Sequence, residues 1–485
     1  MIYKIAYSRS TLYWFLLHAL LGVATTFSPW ALILWVYFTV FTSGFSWFQS
    51  SIGNRLYSIS MAIAYLTPFE LLSRISNAFP YVPYEFSKYL MFFLLLLGIF
   101  SGANRERNGI LMLFMILPSF LFADSNEVYF LEVVFNGLGA VNVALAVIFF
   151  SSLILQFDQY KKLMKLMLLP IFTSLIHLVI KTPDLSTIEF SLGANAVASG
   201  GFGPNQVSTV VGLGLYLIFI FWIFNWKWTG YRWLDALLVI AFAFQGLLTF
   251  SRGGMLGAAL GVIMLAVMTI FLDRKYRIRN RIPDIRKYII PGVVIIVSTF
   301  MVVNEITGGT LLLRYSGETV GTLKGTKEKN FNVITTSRYK IFNGDLKLWS
   351  ENPVFGVGVA ASKHLRENTE DITAHIEASR LLAEHGSFGL MYMILLVIVG
   401  LNILKKNKNA VIRAQLFILF SIGIYTTFHS ALRTFVTPLL VGVGCLHVVY
   451  NPPRKRDEEH ANESNPMVSD APMDYVEQGG ANRLL

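Results

Sequence analysis

The chain has 485 residues, of which 54% are hydrophobic and 14% charged, with a mean hydropathy of +0.56 and a formal net charge of +11. A soluble globular protein carries roughly 25% charged residues. The composition therefore excludes a cytosolic enzyme, a disordered chain and a disulfide scaffold, and it points to a polytopic membrane protein. The one cysteine, Cys445, sits in an apolar run and permits neither an intramolecular disulfide nor a cysteine-based zinc site. No basic and aromatic module or recognition helix suggests nucleic-acid binding.

A spanning helix needs about 20 mostly apolar residues. In chain order, apolar runs occupy 11–27, 29–46, 57–73, 87–102, 109–123, 131–156, 162–180, 206–226, 232–250, 254–272, 288–304, 387–404, 411–429 and 432–450. Two of these fourteen can be re-entrant or interfacial, so the expected fold is all-α, a polytopic transmembrane helix bundle of about 12–14 spans. Lys and Arg collect in short cytoplasmic connections. Placing Lys4 and Arg9 inside also puts inside Arg105 and Arg107, Lys161, Lys162 and Lys165, Lys227 and Arg232, and Lys405, Lys406 and Lys408. The segment from Asp273 to Lys287, with seven basic and two acidic residues, and the tail with Arg454, Lys455 and Arg456 fall inside as well. Asp124, Glu127, Glu132, Asp184 and Glu189 fall outside, which gives an N-in, C-in topology. The first run has no small-residue cleavage site and reads as a retained helix.

Residues 305–386 form one long outer connection, far beyond the usual loop length and partly helical in pattern. The expected organisation is a membrane domain over 1–304 holding the first eleven runs, the outer loop over 305–386, the last three spans over 387–450 and a disordered cytoplasmic tail over 451–485. No solenoid-period repeat and no transporter-like pair of broken helices stands out.

Three segments are chemically unusual for a membrane chain. Thr249-Phe250-Ser251-Arg252-Gly253-Gly254 puts an arginine at the outer end of a span, where it either snorkels from a tight glycine turn or faces the bundle. In Thr335-Thr336-Ser337-Arg338, Thr336 or Ser337 can cap a helix in which Phe342, Asp345 and Trp349 follow Arg338 at helical spacings. That helix stops at Asn352-Pro353, before Gly356 and Gly358. The segment from Thr373 to Gly386 reads as one helix running into the next span. His375, Ser379 and Leu382 then share a face, Arg380 pairs with Glu384 four residues on, and Glu377 stands three residues before Arg380. For the last two segments the alternative is a solvated amphipathic or salt-bridged helix. His18, His177, His429 and His447 lie in or beside apolar runs without ligand-like spacing and read as packed histidines. No Walker A, Asp-x-Asp, His-Glu-x-x-His or Gly-x-Ser-x-Gly pattern occurs. Two outward arginines and one outward histidine suit a reaction with a phosphate-rich leaving group: arginine binds phosphate bidentately, and a neutral histidine is a general base near pH 7.

On these residues the chain resembles the O-antigen ligase and O-antigen polymerase superfamily of bacterial integral-membrane glycosyltransferases, over roughly residues 190–405. The carrying elements are the Ser251-Arg252-Gly253 turn, Arg338 with Trp349 and the Pro353/Gly356/Gly358 turn, and His375 leading to Leu382, Glu384, Gly386 and Gly389. Gly203-Pro204-Asn205-Gln206 is similar to the family's asparagine-containing loop. One departure is Ile376, where the family often has asparagine after the histidine. The resemblance implies a helix bundle whose partly helical periplasmic loop closes over a cavity. It implies an inner-membrane enzyme that takes a glycan from undecaprenyl diphosphate, without metal or cofactor and with inversion. His375 would activate the acceptor hydroxyl, while Arg252 and Arg338 would hold the donor diphosphate. Arg380, Glu384 and Asn205 would give structural support. The preferred acceptor is lipid A–core, which makes the protein an O-antigen ligase. An O-antigen or exopolysaccharide polymerase and a protein O-oligosaccharyltransferase share the donor. A lipid-linked glycan flippase or transporter is the reading from another class.

Overall fold

The computed structural model describes residues 1–450 apart from 8–10, 105, 122–127, 280–282, 336, 368–371 and 373. Arg9, Arg105, Asp124, Glu127, Thr336, Thr373 and the tail from 451 lie outside that description. The protein is an all-α polytopic helix bundle. Among the described residues, eight helices are long and apolar enough to cross a membrane: Pro29–Gln49, Asn54–Ile75, Phe130–Ser151, Phe157–Lys181, Pro204–Ile223, Arg252–Ile270, Arg286–Ile306 and Glu377–Lys406. Thr11–Phe27, Phe86–Phe100, Arg107–Leu121 and Ala410–Thr426 are shorter apolar helices, and Arg232–Leu248 fills the run at 232–250.

The last apolar run is not a spanning helix of ordinary length. It holds a nine-residue helix, Val436–Gly444, and a short strand, His447–Val449, which pairs in parallel with Ile154–Gln156. Lipid does not tolerate irregular backbone, but a protein interior that supplies partners does. Every residue of Val436–Gly444 is buried, and its flanks are satisfied from both sides. Leu432 N donates to Glu377 Oε2 (3.2 Å) and Phe435 N to Glu70 Oε2 (2.9 Å). Beyond the helix, Asn407 Nδ2 donates to Leu446 O (3.0 Å), and Val448 N donates to Asn407 Oδ1 (2.8 Å). The apolar run expected as the last span is instead a short helix packed inside the bundle.

Contacts sort the connections onto two ends. At one end, Lys406 Nζ donates to the carbonyls of Ser151 (2.9 Å) and Cys445 (2.6 Å), Ala410 N donates to the Tyr276 hydroxyl (2.9 Å), and Arg232 lies over the Tyr288 ring. At the other, Asn195 N donates to Thr249 O (2.8 Å), and Ser119 Oγ meets His385 Nδ1 at 2.5 Å. His18 and His177 are hydrogen-bonded inside the bundle, to Tyr65 (2.8 Å) and Thr25 (3.1 Å).

Helices in lipid gain little from apolar burial against one another and associate through close contact at small residues. Gly254 shows why: a Cβ there would lie 1.9 Å from the Ser208 carbonyl oxygen of the crossing helix. The helix Glu377–Lys406 is not continuous, as the sequence pattern suggests. It breaks at Gly386, with φ 59° and ψ −138°, so the segment from Glu377 to His385 is set at an angle to the span. The Pro353–Gly358 turn docks into the break: Ser387 N donates to Pro353 O (2.8 Å) and Val357 N to Ala383 O (2.8 Å). A Cβ at Gly386 would meet the Val354 carbonyl oxygen at 2.5 Å. Gly386→Ala is therefore expected to cost about 1–3 kcal/mol, read as a lower thermal-unfolding midpoint in detergent. An unchanged midpoint would show that the turn is not seated there.

A candidate active site of arginines and histidines

The helix Arg232–Leu248 ends at Thr249, and the chain turns through Phe250, a buried residue in the left-handed region (φ 55°). Ser251 then opens the helix that starts at Arg252. Ser251 Oγ donates to Asn205 Oδ1 (2.8 Å) and accepts from Ser208 Oγ (2.8 Å), so Asn205 ties down the turn that presents Arg252. Gly253 lets the His429 ring rest on the first turn, where a Cβ would lie 2.4 Å from that ring.

Arg338 is the first residue of the helix Arg338–Glu351. Ser337 stands at the N-cap position in the left-handed region (φ 64°), and its hydroxyl makes no cap bond, contrary to the sequence expectation. Arg338 Nη2 reaches His429 O at 3.5 Å, while its Nε is buried without an acceptor. Arg252 Nη2 donates to Ile334 O (2.8 Å) and its Nη1 to Arg314 O (3.4 Å). Arg314 Nε in turn donates to Phe250 O (3.4 Å). Burial and the neighbouring charges of Arg252 and Arg338 push the Arg314 guanidinium down to about 10, and burial with Arg252 lowers Arg338. Arg314 still carries its charge at neutral pH. Among the described residues, none of Arg252, Arg314, Arg338 and Arg433 forms an ion pair with a carboxylate. A half-buried positive cluster with no carboxylate partner among the described residues is suited to binding an anion.

His375 stands beside this cluster, though not on a helix. Ile376 is extended and the helix begins at Glu377, whose N–H goes to Thr427 O (2.8 Å). The expected shared face of His375, Ser379 and Leu382 is therefore absent, because the tertiary bond to Thr427 replaces the first helical turn. Arg433 Nη2 donates to Ala374 O (3.1 Å) and so fixes the residue before the histidine. His375 Nδ1 is buried without a partner, which leaves Nε2 as the nitrogen a substrate can reach. Burial first, then the charges of Arg433 and Arg338, push the His375 imidazole down to about 4. His429 is pushed down to about 4 as well, by burial and Arg338, and its Nε2 meets Thr209 Oγ1 at 2.9 Å.

The pH dependence follows with a definite sign. A histidine acting as a general base works only when neutral, so with His375 in that role activity is lost as pH falls through its pKa. In the free protein that lies at about 4. A bound anion opposes the arginine charges and raises it. The acid limb of kcat, which reports the substrate complex, is thus expected at higher pH than the acid limb of kcat/KM. Coincident limbs would show that no anion binds beside His375.

The supporting residues differ from expectation in one respect. Arg380 pairs with Glu377 (2.5 Å) and donates to Asn136 Oδ1 (3.0 Å), rather than pairing with Glu384. Glu384 instead accepts from Ser362 Oγ (2.9 Å), because the break at Gly386 turns it toward the docked loop. Asp345 accepts from Ser379 Oγ (2.6 Å) and pairs with Arg366 (3.3 Å), both side chains 0% exposed. Arg366 also donates to Ile372 O, three residues before His375. Two apolar grooves open beside the cluster: one of about 180 Å³ reaches Tyr315 next to Arg314, and another of about 240 Å³ reaches Glu377 and Leu432 near His375.

Residues 237–394 match the O-antigen ligase family. The match covers about a third of the chain, so over that segment the protein is similar to the O-antigen ligase superfamily. The matched O-antigen ligase segment contains Arg252, Arg314, Arg338, His375, Arg380 and Glu384, whereas Asn205, His429 and Arg433 come from outside it. No curated protein matches the sequence. The family supports a ligase or polymerase type of function in a multi-pass membrane protein. Three members of the candidate site carry no site assignment in the sequence reading: Arg314, Arg433 and His429. Arg433 is an arginine inside the apolar run 432–450, and that signal could have found it. Arg314 follows three leucines and His429 ends a span, so neither carried a comparable mark.

Proposed function

We propose that this protein is an O-antigen ligase that moves a glycan from undecaprenyl diphosphate to lipid A–core at the periplasmic face of the bacterial inner membrane, without metal and with inversion. The observation that carries this reading is the convergence of Arg252 and Arg338, neither paired with a carboxylate among the described residues, beside a neutral His375. His375 Nε2 takes the proton of the acceptor hydroxyl as its oxygen attacks the anomeric carbon. The bond from that carbon to the diphosphate oxygen breaks on the opposite face, and the electron pair leaves on the diphosphate. Arg252 and Arg338 hold that group and neutralise it, the task a metal performs in other diphosphate-dependent transferases. Asn205 supports the reading as the anchor of the Arg252 turn, and Arg380 and Glu384 as holders of the Glu377–His385 segment. The apolar grooves suit substrates carried on lipid, which favours a lipid-linked acceptor over a protein hydroxyl. The buried charges Glu70 and Arg74 bond to the backbone of Phe435 and Arg433 at the site end and do not trace a path through the bundle, which disfavours a flippase.

The family's description as a ligase favours lipid A–core over a growing glycan as acceptor. A lipopolysaccharide gel of a deletion strain tests the acceptor. Core without any sugar ladder, restored by the wild-type protein, is the expected result. Core bearing a single repeat unit would identify a polymerase instead.

A further inference from the structure

Arg314 is bonded twice to the turn that presents Arg252. Its Nε donates to Phe250 O (3.4 Å), and its own carbonyl accepts from Arg252 Nη1 (3.4 Å). Its terminal nitrogens have no hydrogen-bond acceptor among the described residues, and it forms no ion pair there. It is half-buried and shares its site with the charges of Arg252 and Arg338. Holding three like charges together costs stability unless an anion of matching charge arrives.

The charge balance of the proposed reaction gives that third cation a task. The inference rests on the donor reading above. A glycosyl diphosphate is a diester with two ionised oxygens. When its bond to the anomeric carbon breaks, the departing oxygen becomes a third ionisable site on the diphosphate, while the acceptor proton goes to His375. Arg252 and Arg338 match the two charges of the donor. We infer that Arg314 is a third catalytic arginine, which binds the charge that develops on the leaving diphosphate and is present only in the transition state and the product. An interaction made only there raises kcat without tightening substrate binding.

The experiment uses the full-length protein in detergent, with Arg314→Gln and Arg314→Lys beside wild type. Undecaprenyl diphosphate and undecaprenyl phosphate serve as probes of product binding between pH 6 and 8. For Arg314→Gln, kcat is expected to fall about 100-fold while the donor KM changes less than about threefold. Inhibition of wild type by undecaprenyl diphosphate strengthens as pH rises and the third oxygen ionises, and this pH dependence flattens in Arg314→Gln. Undecaprenyl phosphate inhibits both proteins alike. Arg314→Lys keeps the charge in the same backbone frame and retains the pH dependence with a smaller loss of kcat, so it reports even if the glutamine variant does not fold. A donor KM that rises with kcat unchanged would overturn the inference. So would an unaltered pH dependence in both variants. Wild type that undecaprenyl diphosphate does not inhibit would overturn the donor reading itself.

Discussion

His375→Ala is expected to leave a folded protein with kcat reduced by about 10²–10⁴-fold, the usual contribution of a positioned general base. Its fold should survive because His375 contributes little to it: the ring's Nδ1 has no partner among the described residues, and the chain there is held by the Arg433 guanidinium on Ala374 O and by the Glu377 N–H on Thr427 O. The donor KM should change little, since the imidazole meets the acceptor hydroxyl and not the diphosphate. A His375→Gln variant of similar size should be equally inactive, because an amide cannot take the proton. Steady-state kinetics and a thermal-unfolding curve on the same preparation separate chemistry from folding. If His375→Ala transfers glycan within a few-fold of wild type, the base lies elsewhere, and His429 is then the neighbouring imidazole to test.

Arg338→Lys is expected to be nearly as damaging as Arg338→Ala, with a loss of about 10²–10³-fold in kcat. The argument is geometric. Arg338 begins a helix whose first residue is set by the left-handed Ser337, and its guanidinium is placed beside the His429 carbonyl with Nε buried and unsatisfied. A planar fork at that point can grip two phosphate oxygens, whereas an ammonium on a flexible stem offers a charge without the fork. The same fork has no carboxylate partner among the described residues, so its removal leaves no orphaned anion there and little instability. Kinetics with the lysine variant decide the matter. Recovery of most of the activity would show that position 338 supplies charge alone.

The bundle was legible because length and apolarity of a span are local properties. Arg252, Arg338 and His375 were legible for a related reason: charge and imidazole stand out at the ends of apolar runs and in the long loop. What the sequence hid depends on contacts between distant segments. His375 lies off the helix because Thr427, fifty-two residues away, captures the Glu377 N–H. Glu384 turns from Arg380 because Gly386 bends the helix so that Val354 can dock. The run from 432 to 450 has the composition of a lipid-facing span, yet it is a short helix buried at the centre of the bundle, where Glu70, Glu377 and Asn407 satisfy its ends. Arg314 read as an ordinary residue after a leucine run, and only the turn at Phe250 reveals its neighbours.

The most direct test of the account is transfer by the purified protein in detergent, with undecaprenyl-diphosphate-linked glycan, lipid A–core and an excess of a metal chelator. Attachment of the glycan to the core with inverted anomeric configuration, lost in His375→Ala, is the predicted result. Donor that binds but is never turned over, or transfer that stops when the chelator is added, would contradict it.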